Sequence, residues 1–136
     1  MAEVYGFDAF SPREIAGRVE HVGVAKARLP LLQTVLLGML AGAFIGLGAL
    51  AFTLVASDSS LGFAASRISG GVMFSLGLLL VSVAGAELFT GNNLLVMACV
   101  SRKVRLRAVL RNWSIVYVGN LVGAVSIAWL VYASGV

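Results

Sequence analysis

Charged side chains make up only 12% of this 136-residue sequence, and histidine and cysteine each occur once. A soluble domain of this size carries about 25% charged residues, so a cytosolic enzyme and a nucleic-acid module are both poor fits. The lone Cys99 excludes a disulfide framework and reads as a buried thiol. With His21 as the sole imidazole, and no nucleophile–base pair in the apolar stretches, no catalytic residue, metal or cofactor is expected. No apolar h-region precedes Arg28, so no cleaved signal peptide is expected and the first span directs insertion.

What fills the sequence instead is apolar: 60% of residues are hydrophobic and the mean hydropathy is +0.98. Uncharged runs extend from 29 to 57, 68 to 86, 88 to 101 and 112 to 136. About 20 apolar residues cross a hydrocarbon core, which predicts an all-α integral membrane protein with three transmembrane spans. The bases fall in clusters between those spans. Arg13, Arg18, Lys26 and Arg28 precede the first and are balanced by Glu3, Asp8, Glu14 and Glu20, whereas Arg102, Lys103, Arg105, Arg107 and Arg111 precede the third with no acid beside them. Short basic loops mark the cytoplasmic side, placing the N-terminus inside, residues 58–67 outside and the C-terminus outside, in a bacterial-type inner membrane. A nucleic-acid patch at 102–111 is disfavoured because aromatic interleaving is missing.

Residues 11–28 predict an amphipathic helix. Ser11 and Glu14 have the spacing of a capping box, Pro12 suits the first turn, and Ile15, Val19 and Val22 recur at helical intervals. Such a helix either lies in the membrane interface or docks on protein. Span 1, residues 31–56, carries Gly38, Gly42 and Gly46 at four-residue steps, a groove for close helix packing. Span 3, residues 110–133, repeats the device with Gly119 and Gly123. Its Trp113, Tyr117, Trp129 and Tyr132 are expected to anchor at the headgroups.

The middle span, residues 67–100, contains one internal charge, Glu87. It is too long for one helix across about 30 Å of hydrocarbon and too short for two, which predicts one crossing with a break. Residues 84–93 are the place for it: Gly85 and Gly91 relax the backbone and Thr90 can cap a second half-helix. Amide groups at Thr90, Gly91 and Asn92 would then point a partial positive charge toward a small anion or polar solute. Glu87 is a functional candidate by its depth; it either braces the broken backbone or touches the pore. Phe74, Leu78, Leu88 and Phe89 bracket the break. Residue type alone leaves ordinary packing and a hydrophobic constriction both open for them.

Three motifs carry a resemblance. They are Phe74-Ser75-Leu76-Gly77-Leu78, then Gly85-Ala86-Glu87-Leu88-Phe89-Thr90-Gly91-Asn92, then Asn112-Trp113-Ser114-Ile115-Val116-Tyr117-Val118-Gly119-Asn120-Leu121-Val122-Gly123. Together they resemble the formate/nitrite transporter family, from about residue 11 onward. The resemblance implies one half of an aquaporin-like inverted repeat, assembled as a pentamer in that family, and passage of small monovalent weak-acid anions such as formate, nitrite or hydrosulfide. It makes Phe74, Leu78, Leu88 and Phe89 constriction residues and Thr90 the chamber hydroxyl. Only the first repeat is matched. The histidine and lysine that the family's second repeat supplies have no counterpart here, so protonation of the anion by that histidine does not transfer. A truncated or split transporter, missing its C-terminal half, is the leading expectation, ahead of a true half-subunit. The alternative is a non-transporting membrane scaffold or accessory subunit.

Overall fold

A computed structural model describes residues 10–58 and 60–135; Glu3 and Asp8 lie outside them. The described chain is all helix: α1 (Pro12–Ala27), α2 (Leu31–Ala56), α3 (Phe63–Ala84), α4 (Phe89–Asn92), α5 (Leu95–Val100) and α6 (Leu106–Ser134). Three of these, α2, α3 and α6, are long and apolar enough to cross a membrane. α2 lies between the other two, packed on α6 along one side and on α3 along another.

Glycine sets both crossings. Gly38 faces Gly119 closely enough that an added Cβ would stand 3.5 Å from the partner's Cα. A Cβ on Gly42 would overlap the Asn120 carbonyl, and one on Gly123 the Met39 carbonyl. The α2–α3 contact uses the same device at glycines outside the four-residue steps. A Cβ on Gly48 would lie 2.8 Å from the Phe74 oxygen, and one on Gly77 2.9 Å from the Phe44 oxygen. In lipid, where apolar side chains gain nothing by leaving the solvent, such close backbone approach is what holds helices together.

α3 begins at Phe63, one turn before the expected boundary at 67. Arg67 bounds the uncharged run, but one charge is tolerated near the end of a span when its head can reach the interface. Its guanidinium sits over the Phe63 ring at 5.4 Å. Further on, the helix stops at Gly85, which adopts a left-handed φ of 62°. That conformation favours glycine because a Cβ would clash.

α1 forms the expected capping box, with the Ser11 hydroxyl and Glu14 carboxylate bonded to each other's backbone amides. It docks on α5, and the docking face is not the one that the apolar spacing suggests. Ile15 and Val22 are exposed, while Gly23 is buried against Ala98 and Leu95. Glu20, on the same face, accepts from Ser101 and Lys103 in the α5–α6 turn. Those donors, Lys103 first, hold the Glu20 carboxyl below its ordinary value of 4.5. A depressed carboxyl stabilises the docked state above its unfolded pKa and loses that contribution as pH falls through the folded value. The protection of α1 amides relative to their intrinsic exchange rates is therefore expected to fall below about pH 4.5, and Glu20→Gln should show the lower protection already at neutral pH.

Candidate functional site

Between α3 and α4 the backbone leaves its ladder over residues 85–88, and each freed group has to find a partner away from water. The Glu87 amide donates to the Leu37 carbonyl of α2 at 3.2 Å. Asn120, midway along α6, takes three more groups. Its Oδ1 accepts from the Phe89 amide at 2.9 Å, and its Nδ2 donates to the carbonyls of Glu87 at 2.9 Å and Gly38 at 2.8 Å. One side chain thus ties the break to both long neighbours.

Below it lies a buried polar cluster. Glu87 is 3% exposed, Asn92 0% and Asn112 4%. Lys26 of α1 donates to Glu87 Oε1 at 2.7 Å and to Asn92 Oδ1 at 3.0 Å. Asn92 Nδ2 completes the cluster through Glu87 Oε2 at 2.7 Å and Asn112 Oδ1 at 2.9 Å. Among the described residues no buried side-chain nitrogen or oxygen lacks a partner. A buried carboxylate with a lysine and an amide on its two oxygens is compensated, where a bare one would be forced to neutralise. Trp113 adds a bond from Nε1 to the Asn92 carbonyl at 2.9 Å, and it and Tyr117 pack edge-on against Phe89.

The expected site residues separate into two groups around this frame. Leu78, Glu87, Leu88, Thr90 and Gly91 line one cleft of about 400 Å³, together with Lys26, Val81 and Ser82. Leu78 is 54% exposed and Phe74, one turn away on the same helix, 40%. Within the cleft, the Thr90 and Gly91 amides have no intramolecular acceptor among the described residues. Phe89 turns to the opposite side, into Trp113 and Tyr117.

Three expectations are corrected here. Asn92, expected to face the solute with Thr90 and Gly91, is wholly buried with its side-chain amide fully bonded. Thr90 is not the cap: Leu88 occupies that position without a side-chain bond, Thr90 lies inside the first turn of α4, and Asn120 does the capping from α6. Trp113, expected to offer its polar edge to the headgroups, spends its N–H on the buried Asn92 carbonyl instead.

Lys26, Asn112 and Asn120 were not singled out from sequence as parts of the site. The signal available was the cost of an intramembrane acid, which demands a base somewhere; it does not say that the base is 61 positions earlier.

A helical membrane protein with an interrupted span, its break pinned by buried amides and opening on a cleft, has the architecture of channels and transporters. The chain belongs to the formate/nitrite transporter family, whose sequence profile matches residues 13–136. It is 38% identical over 130 residues to the formate channel FocA of Escherichia coli, covering 95% of this chain and 46% of that protein. The uncharacterized transporter YrhG of Bacillus subtilis is 42% identical over 120 residues, 87% of this chain and 45% of that one. A solved FNT family ion channel superposes with a TM-score of 0.77 at 31% identity, covering 90% of this chain and 50% of the other. The chain therefore spans about half the length of the relatives it matches.

Proposed function

We propose that this chain forms half of the membrane pathway of a channel or transporter for small monovalent weak-acid anions of the formate, nitrite or hydrosulfide class. The observation that carries the reading is the cleft at the break. Thr90 and Gly91, whose amides have no acceptor among the described residues, line this space with Leu78, Val81, Ser82 and Leu88 and with Lys26 and Glu87, whose charges are paired with each other. Donors of this kind favour a small anion without binding it as tightly as a full cation would. Phe74, Leu78 and Leu88 supply an apolar collar that excludes hydrated ions, since burying an unpaired charge costs far more than burying a neutral acid. Phe89 acts from behind, wedging α4 against Trp113 and Tyr117. Glu87 acts as a brace, its charge consumed by Lys26 and Asn92 rather than turned on the solute.

The relatives named as formate channels support the substrate class, and their greater length supports a complementary three-span half that closes the pore. The family resemblance supports a pentamer. The basic clusters support an inner-membrane placement with the N-terminus and residues 101–111 on the cytoplasmic side.

The test is formate flux into proteoliposomes containing the chain together with a complementary C-terminal half. Flux is expected, and Thr90→Val should lower it about tenfold, the worth of one hydrogen bond to a charged solute, with assembly unchanged. Undiminished flux in Thr90→Val would reduce Thr90 to packing. No flux in the paired wild type would leave the non-transporting scaffold as the better reading.

A further inference from the structure

One face of α6 takes no part in the cleft, and only Ser114 and Val118 at its edge meet a groove shared with Val35 and Met39 of α2. Arg107, Arg111, Ser114, Val118, Leu121 and Val125 follow at alternating steps of four and three, so they share that face, and all six are exposed. The opposite face buries Val116, Gly119 and Gly123.

Neither guanidinium has an acidic partner among the described residues, where the two ion pairs are Lys26–Glu87 and Lys103–Glu20. No acid occurs in the sequence beyond Glu87. Where this protein packs helix on helix it does so through glycine, as at Gly38 on Gly119 and Gly48 on Gly77. The outward face has none, and its branched side chains keep another backbone at a distance while suiting acyl chains.

The dimensions agree with a lipid. Ser114 to Val125 rises about 16 Å, against about 15 Å for the hydrocarbon of one leaflet. Both arginines lie beyond that stretch toward the start of α6, at the basic end of the molecule. Anionic phospholipids give the cytoplasmic leaflet its negative surface.

We propose that Arg107 and Arg111 bind the phosphate of an anionic phospholipid whose acyl chain lies along the face from Ser114 to Val125. Guanidinium is suited to this because its planar fork donates two parallel bonds to phosphate oxygens. The site takes no residue from the cleft, so lipid binding is measured apart from transport.

Native mass spectrometry of the chain in neutral detergent, titrated with phosphatidylglycerol or phosphatidylcholine, tests it. Phosphatidylglycerol is expected to bind in preference. The double variant Arg107→Gln/Arg111→Gln should bind it about 30-fold more weakly, with phosphatidylcholine unaffected, and Arg107→Lys/Arg111→Lys should recover much of the loss. Arg13→Gln/Arg28→Gln, which removes the same charge elsewhere, should leave binding intact. An equal loss in that variant would make the effect one of net charge and overturn the proposal. So would displacement by free glycerol phosphate at matching concentration, which would mean a bare phosphate site. Unchanged lipid binding with an altered oligomeric mass would identify the face as a protein interface and overturn it as well.

Discussion

Alanine at Gly42 is expected to cost about 3 kcal/mol, the upper range for overpacking a well-fitted interface. The new methyl would occupy the space of the Asn120 carbonyl, and backbone cannot swing aside as a side-chain tip can. α2 and α6 must therefore part along the crossing. The damage spreads because Asn120 reaches the Gly38 and Glu87 carbonyls at 2.8 and 2.9 Å, bonds that small separations break. Gly123→Ala meets the Met39 carbonyl in the same way and should behave alike. Gly71→Ala is the control: nothing lies within 4 Å of a Cβ there, and alanine is the better helix former by up to about 1 kcal/mol. Thermal unfolding in detergent should rank Gly71→Ala at or above wild type and both crossing variants well below it. A wild-type midpoint for Gly42→Ala would show that the crossing is looser than described.

Asn120→Leu is expected to be nearly as costly, by a different route. It keeps the branched shape and removes the α6 partners of the Phe89 amide and the Glu87 carbonyl. The Phe89 amide and the Glu87 carbonyl are left without those bonds in a region shielded from water, at about 1–3 kcal/mol for each unsatisfied group. Amide exchange should then accelerate at residues 87–93 while the middle of α2, held by its own ladder, keeps its protection. Equal protection in the variant would mean that α2 alone fixes the break. Any flux should fall with it, because the Thr90 and Gly91 amides would no longer be held in place.

The long elements were legible in the sequence because charge is expensive in a bilayer: the gaps at 29–57 and 112–136 became α2 and α6, and the four-residue glycine steps became their crossing. The break was legible too, through the length mismatch of the middle span and through Gly85. Its fastening was not. Thr90 has the right chemistry for a cap, but the cap is Asn120, 31 positions away from Phe89. Lys26 counted as one more base on the cytoplasmic side, and only the folded chain lays it against Glu87. Local pattern reports local bonds, and the break is built from distant ones. The same reasoning explains α1: Ile15, Val19 and Val22 made an apolar stripe on paper, but the docked face was chosen by Gly23, Glu20 and Lys26, each with a specific partner in residues 87–103.

The order in which the polypeptide is made adds a consequence. Residues 87–89 are synthesised well before Asn120, and they have no lasting partner in α3 itself. A nascent chain that has delivered only its first two long helices to the bilayer carries an open gap in its ladder, which water or the insertion machinery has to fill. The last rod to arrive finishes the one before it, so the loop cannot take up its working shape until biosynthesis has run past the middle of α6.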